Sequence, residues 1–315
     1  MLNPVIFIKD PIKYDYSQFI ISLLPKFINC NRIDLVILSQ INESNQLNDI
    51  LYFYYQLIRN HKDDENDGFM FDYRFEINIL FNLSQKKLNQ LSLNNWNHGY
   101  SINELSLSLS IPITQISNIE IPPIIQSSSN IDNDNGAVTR RYYQQFKTTA
   151  VGGTFDHLHD GHKILLSMAN FLTSTKLIIG ITDENLLINK KFKSQLQNYQ
   201  NRQNLVIKFI NLLIEPEKFF EIYKINDICG PTGYINDIDN LIISQETKSG
   251  GEFVNKFRKD HGFKLLDITI IKVIGGGGGG DDNGNNVDEK NSWKGKLSST
   301  DIREREYNRL LNQKS

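Results

Sequence analysis

The chain has 315 residues, 39% of them hydrophobic and 22% charged, with a formal net charge of −2. That length suits two ordinary domains, and the near balance of charge excludes a global pull toward nucleic acid or an anionic membrane, so any anion site has to be local. Cys30 and Cys229 have no metal spacing and no need to pair, no apolar run approaches a membrane span, and the first ten residues lack the charged start and long apolar core of a signal peptide. A cytoplasmic protein is expected, with the nucleus also open to it.

In chain order, Val5 to Lys9 and Ile33 to Ser39 are β-branched runs that predict strands. Tyr16 to Ile28 and Asn48 to Arg59 carry apolar residues at helical spacing, and Phe71 to Phe81 alternates like another strand. The order β, α, β, α, β predicts a small α/β unit with no glycine-rich phosphate loop and no catalytic cluster. A structural or interaction role is expected for it, with regulation or partner docking as the sharper alternative. Ser127 to Gly136 reads as a linker, and Thr139 to Tyr143 is too short a basic-aromatic run to imply nucleic acid.

Thr148 to Val151 opens the second half as a β-prone run, broken by Gly152 and Gly153. A polar loop holding His157, His159 and His162 follows. Ile164, Leu165, Met168, Ala169 and Leu172 then mark one face of a helix. Strand, glycine turn and helix start suit a phosphate: glycine lets the backbone approach closely, and the first helical turn offers unpaired N–H groups. Lys176 to Ile181 is the next strand, making a βαβ unit and hence a parallel sheet whose carboxyl edge takes the ligand. Asn189 to Lys193 is a lysine cluster beyond that edge. Tyr199 to Leu213 predicts a helix with Arg202 in its first turn. Ile222 to Cys229, Leu241 to Ile243 and Leu265 to Ile274 predict strands, with a Gly230-Pro231-Thr232-Gly233 turn after the first and a helix to about Lys259 after the second. Gly275 to Asn291 is low-complexity and reads as a flexible insertion. No Gly-Lys-Ser/Thr follows its glycines, so they are not a phosphate loop. Ser298 and Ser299 are helix caps for the stretch Asp301 to Asn312.

Gly152-Gly153-Thr154-Phe155-Asp156 followed by His159-Asp160-Gly161-His162 resembles the first signature of the HxGH nucleotidyltransferase superfamily. Leu297-Ser298-Ser299-Thr300-Asp301-Ile302-Arg303 resembles its second, Ile-Ser-Ser-Thr-x-x-Arg, with leucine in place of the usual isoleucine. In detail the match is to the eukaryotic, fungal type of phosphopantetheine adenylyltransferase, over about residues 146–312. The Gly-Pro-Thr turn and Ser244-Gln245-Glu246-Thr247 resemble family patterns as well.

The resemblance implies a Rossmann-like parallel-sheet nucleotidyltransferase domain at 146–315, with the insertion at 275–291; residues 1–140 lie outside it, and with the smaller α/β domain read there from the element order the expected fold class is α/β. The resemblance also implies adenylyl transfer from ATP to 4′-phosphopantetheine, giving dephospho-coenzyme A and pyrophosphate, with Mg²⁺ carried by ATP and no metal ligand of the chain's own. Gly153, His159, Gly161, His162, Glu246, Ser298, Ser299 and Thr300 are the implied ATP residues. Thr154, Phe155, Lys190, Lys191 and Arg202 are the implied residues for the second substrate, and His159, His162, Lys190, Ser299 and Arg303 are the implied catalytic set. Arg303 would neutralise the leaving pyrophosphate. The sequence does not choose between Lys190 and Lys191, though Lys190 is the nearer fit. Arg202 has an ordinary surface salt bridge as its competing explanation, and His157 reads as a loop residue rather than a ligand. Other enzymes of coenzyme A synthesis are candidate partners of residues 1–140; nucleic acid and membrane are not. Rival readings are a cytidylyltransferase or mononucleotide adenylyltransferase, and a non-catalytic scaffold. The second signature lacks the Arg-Thr-x-Gly-Ile-Ser-Thr pattern of the first rival, and the intact His159, His162, Ser299 and Arg303 argue against the scaffold.

Overall fold

The computed structural model describes residues 3–62, 70–124, 145–273 and 298–313. The predicted linker, the basic-aromatic run, the glycine-rich insertion at 275–291 and Leu297 lie outside the described residues. The chain divides into two compact units, Met1–Gln144 and Gln145–Ser315.

In unit 1 the elements are β1 (Asn3–Ile8), α1 (Ser17–Leu23), β2 (Arg32–Ile37), α2 (Ser44–Arg59), β3 (Glu76–Phe81), α3 (Gln85–Asn94), β4 (Trp96–Ser101) and β5 (Ile113–Gln115). The strands form one sheet in the order β3-β2-β1-β4-β5, every pair parallel. Val5 and Ile6 in β1 and Leu35 and Val36 in β2 are buried, as a sheet covered on both faces requires. A polar knot crosses it: Arg32 and Asn78 donate to Asp34, and Trp96 donates its indole N–H to the same carboxylate at 2.8 Å.

Unit 2 runs β6 (Phe146–Gly153), α4 (Asp160–Leu172), β7 (Thr173–Thr182), α5 (Tyr199–Leu213), β8 (Phe219–Ile225), β9 (Asn240–Ser244), α6 (Lys248–Asp260), β10 (Asp267–Ile271) and α7 (Ser299–Asn312). Its order is β10-β9-β6-β7-β8, again parallel throughout. The first strand, β6, is central. The chain winds out through β7 and β8, then returns to the other side of β6 with β9 and β10. That reversal opens a crevice at the carboxyl ends of β6 and β9, where ligands of open α/β sheets bind. Val151, Ile178, Ile179 and Ile242 are buried in the sheet, and Ile164, Met168 and Leu172 of α4 are buried in the same core. No helix among the described residues is long and apolar enough to cross a membrane.

Several predicted elements change length. The helix predicted from Tyr16 ends at Leu23, because Pro25 lacks the N–H that would continue it; Leu24–Phe27 is a turn of 3-10 helix. The strand predicted from Phe71 begins at Glu76, and Phe71 instead stacks on Phe75 with ring centroids 4.0 Å apart. The strand predicted to Cys229 stops at Ile225, where Asp227 takes the N–H groups of Cys229 and Gly230 and turns the chain. Helix α3 and strands β4 and β5 were not predicted. Trp96-Asn97-His98-Gly99-Tyr100-Ser101 is too polar to read as a buried strand, and its pairing with β1 makes it one.

Candidate active site

Strand β6 ends in Gly152 and Gly153, and the chain then makes a tight loop before α4. Two non-glycine residues there, Phe155 and His157, have left-handed backbone with φ of 51° and 48°. Such positions persist only where the surroundings hold them. His157 is held by its N–H to Gln197 Oε1 at 2.8 Å and by its ring Nε2 against the Gln195 carbonyl at 2.8 Å. Phe155 is fully buried, and a Cβ at Gly153 would stand 3.2 Å from its ring. The glycine therefore lets the aromatic ring fold beneath the strand end.

His159 is the N-cap residue of α4 and His162 lies in its first turn. Their rings stack with centroids 3.9 Å apart, and Phe155 meets His162 edge-on at 5.3 Å. The enclosed Nδ1 of His162 has no hydrogen-bond partner. Burial, and next the neighbouring His159 and His157, hold His162 well below the ordinary histidine value. The ring is therefore neutral at pH 7.

The second signature arrives from α7. Ser298 is its N-cap: its hydroxyl accepts from the N–H of Asp301, and the Asp301 carboxylate accepts from the N–H of Ser298, a reciprocal capping box. Ser299 donates its hydroxyl to the backbone carbonyl of Asp156 at 3.0 Å. Arg303 donates to the Asp156 carboxylate at 2.6 Å, to the Lys191 carbonyl at 2.9 Å and to the Thr300 hydroxyl at 3.0 Å. Asp156 also accepts from the N–H of Gln197 at 3.0 Å. With Arg303 2% exposed and Asp156 fully enclosed, this buried ion pair joins both signatures and the lysine loop.

The convergence leaves one cavity of about 310 Å³. From the first signature it is lined by Gly153, Thr154, His159, Gly161 and His162, and from the second by Ser298, Ser299, Thr300 and Arg303. Lys190 and Glu246 complete the residues expected there. Two helix N-termini thus open into the same space, which suits a polyanion. The structure separates the lysine pair: Lys190 lines the cavity, whereas Lys191 meets the site through its carbonyl. Phe155 lies under the floor rather than in the wall. Arg202 is fully buried in α5, and neither lines the cavity nor forms a surface salt bridge. It donates to the carbonyls of Thr154, Thr182 and Gln197 and braces the loop from behind. Burial lowers its guanidinium from the ordinary arginine value.

Asp156 is the residue that sequence reasoning left without a role. It stands inside the first signature, but its partner is 147 positions away. Gly152, Leu165, Ser244, Thr247 and Val273 also line the cavity. A second cavity of about 300 Å³ adjoins the first through Gly152, Gly153, Ile243 and Thr247. It is lined by Ile225, Ile228, Cys229, Leu241 and Val254 and by Gly180, Gly250 and Gly251.

The depressed His162 sets a pH dependence. The unfolded chain takes up a proton on this ring near about pH 6.5, whereas the folded chain does so only well below that. Stability from His162 is thus complete above that pH and is lost as pH falls through and below it. The urea midpoint is expected to drop between pH 7.5 and pH 5, and to drop less in His162→Gln; equal slopes in the two proteins would remove His162 as the cause.

A family model described as Cytidylyltransferase-like matches residues 150–305. The chain is 46% identical over 159 residues to the phosphopantetheine adenylyltransferase of Saccharomyces cerevisiae, covering 50% of this chain and 48% of that protein. It is 33% identical over 214 residues to an uncharacterized protein of Schizosaccharomyces pombe, covering 66% and 65%. It is 34% identical over 131 residues to the phosphopantetheine adenylyltransferase of Pyrococcus furiosus, covering 42% of this chain and 80% of that protein. The match thus spans about half the length of the yeast relative and four fifths of the archaeal one.

Proposed function

The chain belongs to the phosphopantetheine adenylyltransferase family, and we propose that it transfers the adenylyl group of ATP to 4′-phosphopantetheine, forming dephospho-coenzyme A and pyrophosphate. The observation that carries this reading is the single cavity lined by both signatures, with two helix N-termini, His159, His162 and Lys190 around it.

In this reading the attacking phosphate is already an anion, so no side chain has to act as its general base and no covalent enzyme intermediate forms. The oxygen of the phosphopantetheine phosphate attacks the α-phosphorus as the bond to the pyrophosphate oxygen breaks. The chain's part is positioning and stabilisation of charge. His162 is neutral, so it gives one N–H to a phosphate oxygen rather than a fixed cation; stacked His159 supplies another donor. Ser298, Ser299 and Thr300 and the free N–H groups of the first turn of α7 hold the β- and γ-phosphates. Arg303 has five N–H donors, of which three already hold protein oxygens. Two remain for the leaving pyrophosphate, so we assign Arg303 both to that contact and to anchoring the lysine loop. Thr154 and Lys190 orient the attacking phosphate. Among the described residues no three His, Cys, Asp or Glu side chains are grouped to hold a metal ion. We propose that Mg²⁺ enters with ATP, where it would neutralise triphosphate charge, with phosphate and water as its main ligands.

The second cavity, with its apolar and glycine lining, is the proposed seat of the pantetheine chain. Gly250 tests this directly. A Cβ there meets nothing within 4 Å, and replacing a glycine in a helix gains up to about 0.8–1 kcal/mol. Gly250→Leu is expected to leave stability unchanged or higher, to raise the KM for phosphopantetheine about tenfold and to leave the KM for ATP alone. An unchanged KM for phosphopantetheine would move that substrate elsewhere. A cytoplasmic reaction, and other coenzyme A enzymes as partners of unit 1, belong to the same reading.

The primary test is pyrophosphate release with Mg·ATP, with and without 4′-phosphopantetheine, beside CTP and nicotinamide mononucleotide controls. Release that requires both ATP and phosphopantetheine is expected. Release with CTP, or with the mononucleotide in place of phosphopantetheine, would transfer the chain to another nucleotidyl reaction.

A further inference from the structure

Unit 1 is built on the same plan as unit 2. In both, the first strand is central, the second and third lie on one side in order, and the fourth and fifth on the other. The residues at the corresponding positions differ. In unit 2 the first strand ends in Gly152-Gly153, the first helix has His159 at its N-cap, and His162 stands third in that helix. The positions in unit 1 are Phe7-Ile8 at the end of β1, Tyr16 at the N-cap of α1 and Phe19 third in the helix. Tyr16 meets Phe19 edge-on at 6.4 Å, where the two histidines stack in unit 2. Each feature that admits phosphate in unit 2 is an apolar or aromatic group here.

The crevice itself has not closed. A cavity of about 370 Å³ lies at the carboxyl ends of β1 and β4, the reversal point of this sheet. Phe7, Ile8 and Tyr16 line it together with Leu38, Leu83 and Leu88, each from a different segment, and the chain after β4 lies along it from Ile102 to Leu107. Lys9 and Glu104 also line it; both are exposed, and neither forms an ion pair among the described residues. Gln85, Ser101, Asn103 and Ser106 add polar groups to the lining, and a pocket of mixed lining at a switch point, apolar on one side with convergent polar groups on the other, is a usual form of a small-molecule site. Opposite, uncommitted charges in that lining suit a head that carries both signs.

We propose that unit 1 holds a second small-molecule site at its own sheet reversal, and that its ligand is an apolar zwitterion, an α-amino acid with a large aliphatic or aromatic side chain. The side chain fills the pocket among Phe7, Leu38, Leu83 and Leu88. Lys9 meets the carboxylate and Glu104 the ammonium group. A nucleotide is excluded, since neither strand end nor helix start offers its phosphates an approach. The proposal does not depend on adenylyl transfer by unit 2.

The test is calorimetric titration of the full chain with L-phenylalanine and L-leucine, beside phenylacetate, which lacks the ammonium group, and phenethylamine, which lacks the carboxylate. Saturable binding of one amino acid per chain is expected, at least tenfold tighter than either comparator and undisturbed by excess ATP. Lys9→Glu and Glu104→Lys, both at exposed positions that leave the fold intact, are each expected to weaken it tenfold or more. Leu105→Trp, in the segment that follows β4, is expected to abolish it by filling the pocket. Absence of saturable binding, displacement by ATP, comparators that bind as well as the amino acid, or indifference to both charge reversals would each overturn the proposal.

Discussion

His162→Ala is expected to lower turnover by ~10²–10³-fold, the usual effect of removing one donor from developing transition-state charge, while leaving a folded protein. The ring sits at the N-terminal turn of α4 between Phe155 and His159, and its enclosed Nδ1 has no partner in the free protein. Its removal therefore breaks no internal hydrogen bond at that atom. Burial disfavours its charged form, so the variant should resist acid at least as well as the parent. The contact is strongest when charge develops at the α-phosphorus, so kcat should fall and the KM for ATP should change little. Steady-state kinetics beside a thermal unfolding curve checks this. Turnover within tenfold of the parent, from protein of normal stability, would reject the role given to His162.

Asp156→Ala is expected to be destabilising by about 3–5 kcal/mol, because it leaves the Arg303 guanidinium buried without its counter-charge. It also removes the acceptor for the Gln197 N–H. Asp156 is a positioning residue in this account: it touches neither substrate but fixes the arginine that holds Lys191, Thr300 and hence the cavity wall. A purely structural pair behaves differently from a positioning one when both charges are removed together. Asp156→Leu with Arg303→Met should recover much of the lost stability, as apolar replacements of buried ion pairs commonly do. It should not recover activity, since the leaving pyrophosphate loses the Arg303 donors and the Lys191 carbonyl and the Thr300 hydroxyl lose theirs. Urea unfolding and turnover measured on the two single variants and the double variant separate the cases. Activity that returns with stability would reduce the pair to a packing element.

The features that were legible before the structure are local ones. A β-branched run, two glycines, a polar loop and apolar residues at helical spacing are written within 25 consecutive residues, and β6, its glycine end and α4 follow from them. The serine before an acidic first turn marks the start of α7, because an N-cap satisfies backbone donors within its own turn. Helix α5 begins and ends at the predicted residues, because the helical spacing of Leu205, Val206, Phe209, Ile210 and Leu213 is written within those residues. The expected cavity residues Thr154, His159, His162, Lys190, Ser299 and Arg303 do share one space.

Other features depend on what lies across the sheet. Arg202 looked like a surface or pocket residue, but three main-chain carbonyls from separate segments enclose it. The choice between Lys190 and Lys191 turns on which way the loop is pulled, and Arg303 pulls it by the Lys191 carbonyl. Strand β4 is polar in composition and is a strand because β1 and β5 flank it. The common plan of the two units is invisible in composition, since strand order is set by crossovers rather than by residue type. The sequence by itself determined most elements of unit 2 and the two helix starts that line its cavity, because caps, glycine turns and hydrophobic periods act over a few residues. Only the tertiary structure decided the Asp156–Arg303 pair, the facing of Lys190 and the apolar crevice of unit 1, because each joins groups that meet in space while lying far apart along the chain.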